Sequence, residues 1–538
     1  MLEAEAAGGQ RVRLLACEAC GAHFFENLAV ADYANDSPGG TAALAFYLQQ
    51  GANVGGMAVR LSALGRPPGS RYLEIGCGFG LGLDIARRTL GWEVTGLDPS
   101  PFAAAGRDLL GLPIVPRYLL VDDPLAESFD VVHASEVLEH VADPLALLRT
   151  LHRALRADGT LVLTTPAAEL IRPETGEGLL IPLLSAGWHM VIQTETSLGM
   201  LLRRAGFSAV RVSRQGAQLI AIAGAAPRAI EGDRGPYLAW LGAAAVAVPP
   251  SSDLGLGLRA RLYRERSAAG DWPAAASAWD DLDAAVMARF GRGIEGFEAG
   301  AETLELDALV AREPVCLAGV LLFRGLEALQ RGKPAEHLLT GAVAAAGRLR
   351  AALRAIGADD GDAEDVCFAA TKELIVIAAS RGDGGIADRI EAMSTAGGQR
   401  HALVAARACF VTLVNRGALD EARRIDAAMP AGWNDISDTA PTQHAEASVI
   451  YCRAVMELQL TDGRRGDALE WLRALRDALL RDYAAGHAAT AKLLYWPVVE
   501  AEALGLRLTG EKGSAAAFVR KAMVRVARLT GFPPRRMP

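Results

Sequence analysis

Residues 71–100 read RYLEIGCGFGLGLDIARRTLGWEVTGLDPS, and this stretch decides the fold. An apolar, strand-like run, Tyr72–Ile75, carries an acid, Glu74. A compressed glycine loop follows, Gly76-Cys77-Gly78-Phe79-Gly80. A helical pattern comes next, then a second apolar run (Val94, Gly96, Leu97) with Asp98 at its end. Strand, glycine turn, helix and strand place a nucleotide-type ligand at the carboxyl end of a parallel sheet. Glycines let backbone approach such a ligand closely, and an acid about 20 residues on accepts hydrogen bonds from ribose hydroxyls.

The spacing of the loop separates ligand classes. A dinucleotide loop needs G-x-G-x-x-G, and counted from Gly76 and Gly78 the third glycine would fall on Leu81. The pattern present is E-x-G-x-G-x-G. It resembles motif I of the class I S-adenosylmethionine-dependent methyltransferases, in which no pyrophosphate is held. A glycine loop alone could be an ordinary strand-to-helix turn; Glu74 before it and Asp98 after it favour the ligand reading.

That resemblance implies a site. Gly76, Gly78 and Gly80 would let the backbone pass under the methionine part of S-adenosylmethionine. Glu74 would stand near its amino group or orient the loop, and Asp98 would accept from the ribose. Asp122 or Asp123 sits where the family contacts the adenine amine, although either acid could be a solvated loop residue. Ser135 and Glu136 would leave the fourth strand facing the methyl group. Tyr33, Phe46 and Tyr47 could close the donor site, or only pack the amino-terminal helix.

Composition narrows the class. The 538 residues suffice for two or three domains with full cores. Charge is mildly acidic, with 63 Asp+Glu against 55 Lys+Arg, and no long basic run argues for a phosphate-backbone partner. Seven cysteines are scattered without framework spacing, which suits a reducing compartment. The amino terminus lacks a basic region followed by a long apolar core. The longest apolar stretch, Tyr237 to Val248, is too short to span a bilayer. The expectation is a cytoplasmic protein with no membrane span.

Four segments are expected. Residues 1–40 form a leader holding Cys17-Glu18-Ala19-Cys20-Gly21 and His23. C-x-x-C-G is the shape of a zinc knuckle, but a structural zinc site needs four ligands. With His23 as a third donor and no fourth, a degenerate knuckle or two buried thiols is preferred to zinc at Cys17 and Cys20. Residues 41–226 alternate strand and helix patterns, which implies a parallel sheet covered on both faces. Strands are read near Tyr72–Ile75, Val94–Asp98, Ile114–Tyr118, Phe129–Ala134 and Thr160–Thr164, with Asp158-Gly159 turning into the last. The runs Ala209–Val212 and Gln218–Ala223 match the closing antiparallel pair of the resembled fold, a seven-stranded Rossmann-like sheet. Residues 227–250 form a linker or helix.

From 251 to 538 alanine, leucine and arginine dominate. Helix-breaking turns recur at Gly270, Gly332, Gly382, Gly417 and Gly466. This pattern predicts an all-helical repeat domain similar to tetratricopeptide hairpins, with an irregular period. It could engage a protein partner.

The acceptor side is read from FDVVHASEVLEHVADP. Glu136, Glu139 and His140 form E-x-x-E-H, and in a helix positions i, i+3 and i+4 share a face. Two carboxylates and an imidazole can ligate a divalent cation, Mg²⁺ or Mn²⁺. The spacing resembles the metal motif of ubiquinone-biosynthesis O-methyltransferases; the small-RNA 2′-O-methyltransferases add a later histidine, and His189 stands downstream here. Three readings stay open: a metal site of Glu136, Glu139, His140 and His189; a metal-free base at His140, with Glu136 and His189 in acid–base roles; or a brace for the local helix. The proline- and glycine-rich loop from Thr164 to Trp188 is long enough to be a lid. By family analogy the acceptor is a hydroxyl of a saccharide, glycolipid or related small molecule. The competing readings are a protein or RNA substrate presented by the helical half, and a non-catalytic scaffold.

Overall fold

The computed structural model describes residues 2–5, 11–26, 31–34, 40–50, 54–120, 123, 125, 127–173, 175–224, 232–297 and 303–428. They fall into two compact units, residues 1–370 and residues 371 onward. Asp122, Cys452 and the turn at Gly466 lie outside the described residues.

Two sheets build the first unit. A small antiparallel sheet joins β1 (Leu2–Glu5), β2 (Arg11–Ala16), β3 (His23–Phe25) and β9 (Val191–Ile192). The main sheet uses β4 (Arg71–Ile75), β5 (Glu93–Leu97), β6 (Ile114–Val115), β7 (Phe129–Ser135), β8 (Leu155–Pro166), β10 (Ala209–Gln215) and β11 (Gln218–Gly224). Its order is β10-β11-β8-β7-β4-β5-β6. The run from β6 to β8 is parallel, and β11 and β10 close it antiparallel. This is the seven-stranded sheet that the family resemblance implied, with the parallel core that the strand and helix alternation predicted. β6 is only two residues long where Ile114–Tyr118 was expected. Pro116 offers no N–H to a ladder and the following chain is exposed. Asp158-Gly159 lies within β8, in an irregular stretch where Phe129 pairs Leu155 and Val131 already pairs Thr160.

Helices cover both faces, as a parallel sheet requires. α1 (Gly40–Gln50), α2 (Val54–Ala63), α3 (Leu81–Leu90) and α4 (Pro101–Leu110) precede α5 (Pro144–Ala154), α6 (Glu177–Leu184), α7 (Glu195–Arg204) and α8 (Gly235–Ala247). The period-two alternation of β4 sorts the core. Tyr72 packs with Leu61 of α2 and Leu83 of α3. Leu73 and Ile75 face Leu148 and Leu151 of α5 and Leu198 and Leu202 of α7.

The helical chain continues with α9 (Asp253–Ala268), α10 (Trp272–Phe290), α11 (Leu306–Arg312), α12 (Leu317–Gln330), α13 (Glu336–Arg354) and α14 (Gly361–Arg381). In the second unit follow α15 (Ile386–Thr395), α16 (Gln399–Asn415) and α17 (Leu419–Ala428). Gly270, Gly332, Gly382 and Gly417 all carry positive φ at helix ends, which is why glycine stands there. No helix among the described residues is long and apolar enough to cross a membrane.

The change of composition near 251 marks where strands stop, and the packing runs on through it. The apolar stretch Tyr237–Val248 is α8, which buries Trp240, Leu241 and Ala244 with Ile85 of α3 and Leu258 of α9. Trp240 Nε1 donates to Asp84 Oδ2 at 2.9 Å in the interior. Arg261 Nη2 donates to the Leu48 carbonyl at 2.6 Å, and Gln49 Nε2 to Asp253 Oδ1 at 2.7 Å. α9 passes so close to α1 that a Cβ on Gly257 would stand 2.1 Å from Leu48 O.

Trp240→Phe deletes the hydrogen bond to Asp84, whose other oxygen keeps Arg87 and Arg88, and also trims buried ring volume, so the loss given by the bond alone is a lower bound. Chemical denaturation should show a loss of at least about 1.5–3 kcal/mol, the worth of a hydrogen bond to a charged group. An unchanged midpoint would mean this bond does not tie α8 to the sheet domain.

Candidate active site

The glycine loop leaves β4 and enters α3. Gly76, Gly78 and Gly80 have φ of 65°, 51° and 83°, a region that side-chain-bearing residues rarely adopt. Their spatial reasons differ. A Cβ on Gly76 would meet Val137 Cγ2 at 2.5 Å, and one on Gly80 would meet Leu112 Cδ1 at 2.7 Å. Those two glycines serve packing. Above Gly78 lies Tyr47, whose hydroxyl would be 3.3 Å from such a Cβ. Tyr47 therefore covers the loop from α1.

Asp98, at the end of β5, is buried and fully engaged by backbone. Oδ2 accepts from Gly78 N and Oδ1 from Ser100 N, both at 2.7 Å. A carboxylate offers about four lone-pair positions, so each oxygen keeps one beyond its backbone donor. Glu74 lies beneath α3, close enough that a Cβ on Gly82 would be 2.6 Å from either carboxylate oxygen. Its Oε1 pairs with His133 Nδ1 at 3.2 Å, and Tyr72 Oη lies 3.0 Å from the same nitrogen. Glu74 Oε2 is buried without a hydrogen-bond partner among the described residues. Of the two adenine-side acids, Asp123 is described, and it is held by Arg117 at 2.7 Å and the Leu120 amide at 2.6 Å.

The E-x-x-E-H segment is not an α-helix. Glu136 sits at φ 54°, and only Leu138–His140 make a single 3₁₀ turn. The shared helical face therefore does not exist. Glu136 turns toward β8 and β11, where Thr164 Oγ1 and Gln218 Nε2 donate to Oε1 at 2.8 and 3.0 Å. Thr164 spends its proton on Glu136, so the 2.7 Å contact with Ser135 has the serine as donor. Desolvation, then the charge of Glu139, pushes Glu136 up to about 8.

Glu139, His140 and His189 do converge: their ligand atoms lie within 4.8 Å of one another. Glu139 is fully buried. Oε2 accepts from Thr165 Oγ1 at 2.8 Å, while Oε1 has no hydrogen-bond partner and stands 3.7 Å from His140 Nε2. Burial pushes Glu139 up to about 7. Burial also lowers His140, and lowers His189 to about 3 with help from His140. Both imidazoles are thus neutral at pH 7. His189 Nδ1 donates to Leu183 O at 2.8 Å, which fixes its tautomer and leaves its Nε2 lone pair open. His140 Nδ1 lies 3.1 Å from Trp188 O. Tyr33 Oη also bonds His140 Nδ1, and the Tyr33 ring packs 5.1 Å from Trp188. A free carboxylate oxygen and two oriented neutral imidazoles fit a divalent cation, with Glu136 outside the set. Imidazole nitrogens favour Zn²⁺ or Fe²⁺ over Mg²⁺ and Mn²⁺, which prefer oxygen.

The profile of the methyltransferase-domain family matches residues 55–212. The chain carries a methyltransferase domain. A ubiquinone biosynthesis O-methyltransferase of Xanthomonas campestris pv. campestris is 39% identical over 133 residues, which cover 23% of this chain and 55% of that one. The enzyme of the same description from Pseudomonas syringae pv. tomato is 34% identical over 132 residues, 22% of this chain and 56% of that one. The chain therefore spans about half the length of the curated relatives it matches. Among solved structures, an S-adenosylmethionine-dependent methyltransferase from Mesorhizobium loti is similar at 24% identity and a TM-score of 0.27, over 32% of this chain and 99% of that one.

Sequence reasoning singled out the glycine loop, Asp98, Glu139, His140 and His189, and the fold brings the last three together. It did not find Thr164, Thr165 and Gln218, which hold the two glutamates, although paired threonines ending an apolar strand were a readable signal. It also left Arg60 unread, a buried guanidinium on α2 that lies within electrostatic reach of Glu136, with Nε and Nη2 unpartnered among the described residues. Cys17 and Cys20 are half-exposed in the β2–β3 turn rather than buried, and with His23 they form no three-donor group among the described residues.

Glu136 and Glu139 hold protons to higher pH in the folded chain than unfolded. The folded state therefore keeps more of their protons in between, and their contribution to stability falls as pH rises from roughly 5 to 8, while the lowered His140 and His189 oppose it below about 6.5. Glu139→Gln should flatten that decline in urea titrations across this range. An unaltered slope would show that Glu139 titrates normally in the folded chain.

Proposed function

We propose that the protein transfers a methyl group from S-adenosylmethionine to a hydroxyl oxygen of a saccharide, glycolipid or related small molecule. The observation that carries this reading is the pair of neutral, oriented imidazoles beside Glu139 at the carboxyl end of the sheet that also carries the glycine loop and Asp98.

S-adenosylmethionine, when bound, supplies an electrophilic methyl. The Gly76–Gly80 backbone would lie under its methionine part, Asp98 would take the ribose hydroxyls, and Tyr47 would cover the pocket. On the acceptor side, a hydroxyl becomes a competent nucleophile only as its proton leaves. His140, lowered by burial, would offer a ring nitrogen as the receiving atom, while His189, lowered to about 3, is too weak a base for that and would orient the hydroxyl or hold a cation. A divalent cation held by Glu139, His140 and His189 would lower the hydroxyl's pKa in place of a free base. The faces of Tyr33 and Trp188 beside His140 suit an acceptor with both an apolar plane and hydroxyl edges. The relatives are O-methyltransferases by description, which supports oxygen as the atom methylated.

Incubating the full chain with isotopically labelled donor and a panel of glycans and small hydroxylated molecules should give labelled O-methyl ethers. His140→Ala should reduce turnover roughly a hundredfold, the usual worth of a positioned proton acceptor, and His189→Ala should also lower it, with folding intact in both. Chelation followed by rescue with Zn²⁺ or Fe²⁺ identifies the cation route, and insensitivity identifies the free base. Full activity in both alanine variants would remove the acceptor site from this cluster.

A further inference from the structure

The lid helix α6 cannot order itself. It has eight residues, contains Pro182, and begins at Gly176 with no side-chain cap. So short a helix is marginal in water. Its cap comes instead from far along the chain. Glu364 Oε1 in the first turn of α14 accepts from Gly178 N at 3.0 Å, a carboxylate set where the helix dipole favours it. The approach is tight. A Cβ on either Gly176 or Gly178 would lie 2.7 Å from Glu364 atoms, so the glycines of this lid are shaped to the helical segment.

Glu364 is itself held. Arg350 Nη2 donates to its Oε1 at 2.6 Å, and Arg350 also makes a two-pronged pair with Asp359 at 2.9 Å on each prong. Arg354 Nε adds a third donor to Asp359 at 2.9 Å. The outer pair of Arg354 with Glu177 is largely exposed and contributes little.

The other end of α6 reaches the acceptor side. Leu183, one residue before the end of the helix, gives its carbonyl to His189 Nδ1 at 2.8 Å. Ser185 at φ 35° then closes the turn, and its carbonyl accepts from both Trp188 N and His189 N. From Gly178 to Leu183 the helix spans roughly 7.5 Å. One short rigid element therefore links the Arg350–Asp359–Glu364 cluster to the imidazole of His189.

We infer that Glu364 is a positioning residue for His189: the helical segment 350–364 caps the lid helix and thereby sets the tautomer and aim of the acceptor-side histidine. This rests on the reading of His189 as facing the acceptor, but its test does not require methyl transfer. It also gives a physical reason for joining these helices to a methyltransferase domain, since the acceptor side is completed by them.

The full chain carrying ¹⁵N-labelled histidine reports the point directly. In the parent chain, long-range ¹⁵N–¹H correlations should show His189 protonated at Nδ1 only. In Glu364→Ala, amides 177–184 should exchange with solvent at least about tenfold faster. The His189 signal should move to mixed tautomers, while S-adenosylmethionine affinity stays unchanged. Glu364→Gln keeps an oxygen for Gly178 N–H and should restore most of the parent signal. Gly178→Ala keeps Glu364 but pushes it away, and should reproduce the alanine result if Glu364→Ala folds poorly. A single Nδ1 tautomer with unchanged exchange in either Glu364→Ala or Gly178→Ala would overturn the inference.

Discussion

Asp98 ties the end of one strand to the glycine loop of its neighbour. Oδ2 takes the Gly78 amide and Oδ1 the Ser100 amide, both at 2.7 Å. The first bond holds open a loop whose three glycines sit in left-handed conformations. The second starts α4, where Ser100 in turn caps Ala103. One buried carboxylate thus fixes the shape of the glycine loop and of the turn into α4. Everything around it is arranged by close approach. Val137 fills the space where a side chain on Gly76 would be, and Tyr47 overlies Gly78. Removing Asp98 would therefore loosen the pocket before any ligand contact was lost.

The donor side was legible because its information is local. Strand, glycine spacing and the acid at the next strand end lie within 30 residues, and backbone conformation alone demands the glycines. The acceptor side was legible in part. Glu139 and His140 could be named from spacing and His189 from a family resemblance, but the helix expected over Glu136–His140 is a single 3₁₀ turn. Glu136 turns into the left-handed region because Thr164 and Gln218, from two other strands, hold its carboxylate. Nothing between positions 136 and 140 encodes that; it depends on β8 and β11 having closed the sheet. The tautomer of His189 likewise depends on the carbonyl of Leu183, a group that every residue carries and no sequence pattern marks.

The helices beyond 251 were recognised from composition and glycine turns, yet their relation to the sheet domain was hidden. Long-range contacts such as Arg261 to the Leu48 carbonyl and Glu364 to the Gly178 amide pair ordinary side chains with backbone. They brace the two covers of the cleft: α1, which brings Tyr47 over the glycine loop, and α6, which ends at the carbonyl that orients His189.

The central claim is that Asp98 and the glycine loop form an S-adenosylmethionine pocket. Calorimetric titration of the full chain and of Asp98→Ala tests it most directly. The account requires saturable binding of S-adenosylmethionine and not of NAD, weakened by about 1–3 kcal/mol in the variant, the cost of leaving hydroxyls unpaired. Equal affinity in the two chains, or preference for NAD, would contradict it.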